Sequence, residues 1–217
     1  MINDPLKASV LCMKIIPNIN GDYFNELKLP EGHRSIGLFT SDCDDVSYVA
    51  LDEATKKADV RVIYGRSFYG GAANANTKLA GEVLGIISGP NPAEVRSGLE
   101  TIYNVIENEA HFISANETDD VVYFSYCISR TGSYLSEIAK IREGEPIAYL
   151  IAPPLEAVYA MDMALKAAEV RLAAFYGPPS ETNFGGGLLT GSQSACKAAC
   201  DAFADAVKAI AANPLKY

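Results

Sequence analysis

Residues 51–65 read LDEATKKADVRVIYG, and residues 161–177 read MDMALKAAEVRLAAFYG. The two align with Asp52 on Asp162, Ala58 on Ala168 and Val60-Arg61 on Val170-Arg171. Working outward, Tyr23, Glu26 and Leu27 match Tyr134, Glu137 and Ile138, and Ile36 matches Ile147. The offset is 110 or 111 residues throughout. Later, GPNPAEVRSGLETIYNVIE answers GSQSACKAACDAFADAVKAI at a smaller shift, because the intervening loops differ in length. A period this long marks a duplicated domain, not a solenoid of roughly 20–50-residue units.

Each copy has the same legible order. An apolar run (SVLCMKIIP; VVYFSYCIS) reads as a strand, then comes a short helix and a second strand (IGLFTS; IAYLIA). A helix rich in Ala and Lys follows (VSYVALDEATKKA; LEAVYAMDMALKAA), then a third strand (VRVIYG; VRLAAFYG). A long loop leads to a fourth strand (AGEVLGIIS; GGGLLTG). The last helix places Val95, Leu99, Ile102, Val105 and Ile106 on one face, with Pro92 early, where helices tolerate it. The expected fold is therefore α+β, two tandem units, each a four-stranded sheet flanked by helices. The polar connector ENEAHFISANETDD sets the boundary, giving domains 1–112 and 113–217.

The totals exclude several classes. Of 217 residues, 49% are hydrophobic and 21% charged, as in a folded globular chain. A net charge of −9 argues against a nucleic-acid surface and leaves a small cation electrostatically reasonable. No run is long enough for a membrane span, and MINDPLKASVLCMKII lacks the basic start and apolar core of a cleavable signal. Cys12, Cys43, Cys127, Cys196 and Cys200 read as thiols of a reducing cytoplasm; Cys196 and Cys200 share a helix face as small apolar residues. Two ligands do not make a zinc site, so no metal is expected. His33 and His111 have no evident chemical partner in sequence.

Little here suggests catalysis. The serines of RTGSYLS have no neighbouring histidine, and NFGGGLLTG lacks the lysine and spacing of a phosphate-binding loop. SDCDDVSY offers Asp42, Asp44 and Asp45, which can act as acid and base, bind a cation, or cap the helix that follows. The stretch YGRSFYGGAANANTK is longer than a hairpin needs and carries Phe68 and Tyr69 beside Gly70 and Gly71. Taken alone, it is an ordinary surface loop.

AVYAMDMALKAAEVRL and TGSQSACKAACDAFADAV resemble the helix–strand signature and the later helix of bacterial microcompartment shell domains. In the usual domain, a strand ending in an Ile-Pro pair and a short helix come last. Here the similar MKIIPNINGDYFNELKLP comes first, so each copy resembles the circularly permuted form. DDVSYVALDEATKKA, IYGRSFYGGAA, GEVL, GPNPAE, SRTGSYLS and GSQSACKAAC extend the likeness to the tandem shell proteins of ethanolamine-utilisation microcompartments. The resemblance implies a homotrimer forming a pseudohexameric tile beside other shell proteins in a microcompartment, without turnover of its own. It implies a gated central pore lined by the loop holding Arg66, Ser67, Phe68, Tyr69, Gly70 and Gly71, with GPPSETNFGG as its second-copy counterpart.

It also implies ethanolamine bound in small pores between the two copies, at Asp44, Asp45, Glu82, Phe112, Thr182, Asn183 and Phe184, with a backbone contact at Asn183. That set is chemically coherent. Carboxylates answer an ammonium, a ring offers its face to a cation, and Thr or Asn bonds a hydroxyl. Ethanolamine breakdown in such compartments uses an adenosylcobalamin enzyme, which adds cobalamin as a candidate bound or transported ligand. The competing readings are a tandem small-molecule-binding regulator, which would stay discrete in solution, and an enzyme between the domains, which would need a catalytic set.

Overall fold

A computed structural model of the chain describes residues 1–68, 78–177 and 183–216. These divide into two compact units. One consists of Lys7–Ala110 with Gly132–Leu135, the other of Met1–Leu6, His111–Thr131 and Ser136–Tyr217.

In the first of these, strands β2 (Val10–Ile16), β3 (Ser35–Ser41), β4 (Arg61–Ser67) and β5 (Val83–Gly89) form an antiparallel sheet in the order β2-β3-β5-β4. Helix α1 (Gly21–Glu26) follows β2, α2 (Asp44–Lys57) follows β3 and α3 (Pro92–Asn104) follows β5. Asn91 starts α3 by accepting from the amides of Ala93 and Glu94 at 2.9 and 3.0 Å, satisfying donors that a helix start leaves open. A π-turn, Val105–Glu109, extends α3. The predicted stripe of Val95, Leu99, Ile102, Val105 and Ile106 is buried throughout.

The other unit repeats that order. Its strands β7 (Val122–Ile128), β8 (Ile147–Ala152), β9 (Val170–Tyr176) and β10 (Gly185–Gly191) run β7-β8-β10-β9. Ile128 faces Ile147 as Ile16 faces Ile36, so even the register of the first pair is duplicated. Helices α4 (Ser133–Ala139), α5 (Pro154–Ala167) and α6 (Gln193–Ala212) take the corresponding places in sequence. Ala157, Ala160 and Ala164 on α5 and Cys196, Ala199 and Cys200 on α6 belong to one buried cluster. Small residues of this kind let two helices approach closely, and Phe203 and Leu150 fill the remaining space.

Two strands join this sheet beyond the repeat's four. β1 (Pro5–Lys7) and β6 (His111–Ser114) extend it to β1-β6-β7-β8-β10-β9. Ser114 carries the link: its carbonyl accepts from the Asn3 amide at 2.9 Å and its amide donates to the Asp4 carbonyl at 3.0 Å. Part of the expected polar connector is thus sheet, with Ala110, Ser114 and Ala115 buried.

Candidate functional site

The end of β3 and the first turn of α2 bring together Asp42, Asp44 and Asp45. Ser41 ends β3, and its carbonyl accepts from the Glu82 amide at 2.8 Å. That bond brings a residue distant in sequence within electrostatic reach of Asp44 and Asp42. Asp45 is buried, and its amide donates to the Asp44 carboxylate at 2.8 Å. The cap position of α2 belongs to Cys43, with no side-chain capping bond. The acids lie instead at the helix start, where their charge suits the helix dipole. Asp42 has a structural partner of its own, accepting from the Ser9 amide at 2.7 Å.

Burial raises the Glu82 pKa, and repulsion from Asp44 and then Asp42 pushes it the same way. Burial also drives the Cys43 thiol well up, helped by Asp45, Asp44 and Asp42. Such crowding favours a cation or shared protons. Among the described residues, no cluster of three or more His, Cys, Asp or Glu has the geometry to hold a metal ion.

Glu82 also touches the loop base. Its carbonyl accepts the Phe68 amide at 3.0 Å and the Ser67 hydroxyl at 3.3 Å. Ser67 is buried and its amide donates to the Tyr48 hydroxyl at 2.7 Å. Two of the residues expected in the pore loop lie in a strand. Arg66 and Ser67 belong to strand β4, paired with Leu84 and Val83, because ladder bonds and Tyr48 hold them there. The loop begins at Phe68, which is exposed. Tyr69, Gly70 and Gly71 lie outside the described residues, as does Thr182. In the second-copy loop, Gly185 and Gly186 are already strand.

In the other unit, Phe112 and Phe184 meet edge to face with centroids 5.9 Å apart, and Phe112 also packs on Phe124 at 5.3 Å. Asn183 has a φ of 64°, a left-handed conformation that asparagine tolerates better than most residues. The sequence did not expose the contribution of Ser41 or Tyr48, since both act through bonds to residues distant in the chain, Ser41 through its carbonyl and Tyr48 through its hydroxyl. His33 pairs with Ser88 through Nδ1 at 2.7 Å.

A family model for the BMC domain matches residues 35–118. The chain is 60% identical over 217 residues to the bacterial microcompartment shell protein EutL of Clostridium perfringens, covering all of both chains. The chain belongs to the EutL family of bacterial microcompartment shell proteins. A solved structure of the ethanolamine utilization protein EutL from Leptotrichia buccalis is 72% identical, covers all of both chains and superposes with a TM-score of 0.97. A trimeric bacterial microcompartment shell protein, PduB, is 18% identical, covers 94% of this chain and 89% of that one, and gives a TM-score of 0.73. At that identity the likeness concerns the fold alone.

Membership of the EutL family accounts for the order of elements. The BMC match opens at Ser35, the first residue of β3, and so leaves β2 and α1 ahead of it. That is the permuted arrangement expected from the sequence, and β7 and α4 precede β8 in the same way. The EutL relatives from Clostridium perfringens and Escherichia coli are both named as bacterial microcompartment shell proteins.

Proposed function

We propose that this microcompartment shell protein is a trimeric, pseudohexameric tile that binds ethanolamine and uses its two long loops to gate an axial opening. The observation that carries the reading is the bond between the Glu82 carbonyl and the Phe68 amide. One residue both lends a carboxylate to the acidic group and holds the first described residue of the loop. A ligand that settles Glu82 therefore acts at the loop base. It biases the gate to the extent that the loop states bind it unequally.

Asp45 and Glu82 take the ammonium, with Asp44 beside them. Placing one positive charge there relieves the carboxylate repulsion that adds to burial in raising the Glu82 pKa. Phe112, Asn183 and Phe184 are assigned to the same ligand by the family resemblance alone. A four-atom ligand gains at most about 1.5 kcal/mol per heavy atom, and partly exposed charge pairs gain about 0–1 kcal/mol each. The expected Kd is therefore roughly 0.1–10 mM, or about 3–5 kcal/mol. Weak binding suits a conduit, since a tightly held molecule does not pass on.

Calorimetry of the full chain with ethanolamine tests this. Weak binding is expected in the native protein, and its loss in Asp45→Asn or Glu82→Gln with assembly unchanged. Binding should also weaken as pH falls through the raised Glu82 pKa, because the protonated acid no longer attracts the ammonium. Native affinity in both variants would remove the assignment.

A further inference from the structure

The two copies differ in what covers the same helix face. In the first copy, Asp45, Val49 and Asp52 of α2 are buried, and the chain segment Gly132–Leu135 lies against this helix. Gly132 and Leu135 donate their amides to the two Asp52 carboxylate oxygens at 2.7 and 2.8 Å. The Ser133 amide donates to the Thr55 hydroxyl at 3.1 Å. The Tyr134 ring packs near that of Tyr48, centroids 6.4 Å apart, and its hydroxyl reaches the Gly65 carbonyl at 3.4 Å. Contact is so close that a Cβ on Gly132 would stand 2.2 Å from the Thr55 hydroxyl.

In the second copy, Leu155, Val158, Tyr159 and Asp162 take the places of Asp45, Tyr48, Val49 and Asp52, and all four are exposed. Val158 is 54% exposed and Tyr159 52%, and Phe175 on the adjoining strand β9 is 56% exposed. The segment that matches Gly132–Leu135 is Gly21–Phe24. It is uncovered as well: Tyr23, the counterpart of Tyr134, is 51% exposed. A Cβ on Gly21 would meet nothing within 4 Å. One chain thus holds an unoccupied socket and an unoccupied plug of a joint it already makes once.

We infer that Gly21–Phe24 of one chain docks on the α5 face of a second copy, with Tyr23 over Val158 as Tyr134 lies by Tyr48. Asp162 then accepts the Gly21 amide, as Asp52 accepts that of Gly132. The differences between the copies fit this. Thr55 is replaced by Leu165, which offers no acceptor, yet the Asp22 amide needs none: Asn20 Oδ1 already takes it at 2.9 Å. The Phe24 amide is likewise satisfied by the Asn20 carbonyl at 2.8 Å. Lys166, paired with Asp162 on the exposed face, corresponds to Lys56, which stands 3.6 Å from Asp52. A plug and a socket on different surfaces make a heterologous, head-to-tail contact, the kind that closes rings. The inference rests on the trimer proposed above and supplies its joint.

Tyr23→Cys and Val158→Cys, combined in one full-length chain, test it with a short bis-maleimide, which joins two thiols without the narrow geometry a disulfide demands. Covalent dimers and trimers are expected on denaturing electrophoresis, and neither single variant should give them beyond the native background. Val158→Asp, an exposed position, should fold normally and weaken assembly at least about 100-fold. A protein that sediments as a trimer, gives no specific cross-link and tolerates Val158→Asp overturns the joint while leaving the trimer. A native chain that sediments as a monomer overturns both.

Discussion

Asp52→Ala is expected to destabilise the unit of Lys7–Ala110 and Gly132–Leu135 by about 2–6 kcal/mol. Asp52 is fully buried, and its two oxygens are the acceptors for the Gly132 and Leu135 amides. An alanine leaves two buried donors unsatisfied, each costing about 1–3 kcal/mol. Chemical denaturation reads the loss, and hydrogen exchange localises it, with the amides of Gly132 and Leu135 losing protection first. Burial raises the Asp52 pKa above its ordinary 3.8, against the pull of the two amides and Lys56. A folded pKa above the unfolded one means a contribution that is full below 3.8 and lost as pH climbs through the folded value. The penalty for Asp52→Ala should therefore be larger in acid than at neutral pH. A change below about 0.5 kcal/mol, the range of ordinary surface substitutions, would show that the carboxylate does not hold this segment.

Gly186→Ala is expected to cost about 3 kcal/mol or more. Gly186 has a φ of +147°, a backbone state that side chains rarely adopt, and a Cβ there would sit 1.9 Å from the Leu150 carbonyl oxygen. Strain of this kind costs about 1–3 kcal/mol by itself. The clash adds to it, because β10 must move off β8, where Gly186 faces Ile151 and Gly187 faces Leu150. In a chain of this length that lowers Tm by roughly 6–12 °C. Gly191→Ala, at the far end of the same strand, has no positive φ and serves as a milder comparison. A Gly186→Ala protein as stable as the native one would mean that the β8–β10 spacing is looser than described.

The duplicated order of elements was legible in the sequence because it rests on local pattern. Helix α5 and strand β8 follow directly from PLEAVYAMDMALKA and IAYLIA, an Ala-rich run opened by proline and a short buried apolar one. Strands β1 and β6 were not, since HFIS is short, sits among polar residues and is defined by pairing with a distant segment. Asp52 and Asp162 look identical in the alignment, yet one is buried and the other exposed. Burial of a helix face depends on what lies against it, which local sequence does not carry. The acidic group was half visible. Asp44 and Asp45 stand together in the chain, whereas Glu82 joins them only through the Ser41 carbonyl.

Sedimentation equilibrium of the purified full-length chain at micromolar concentration tests the shell tile most directly. A single species of three times the 23.2 kDa chain mass is the predicted result. A species that stays at 23.2 kDa across that range would contradict it.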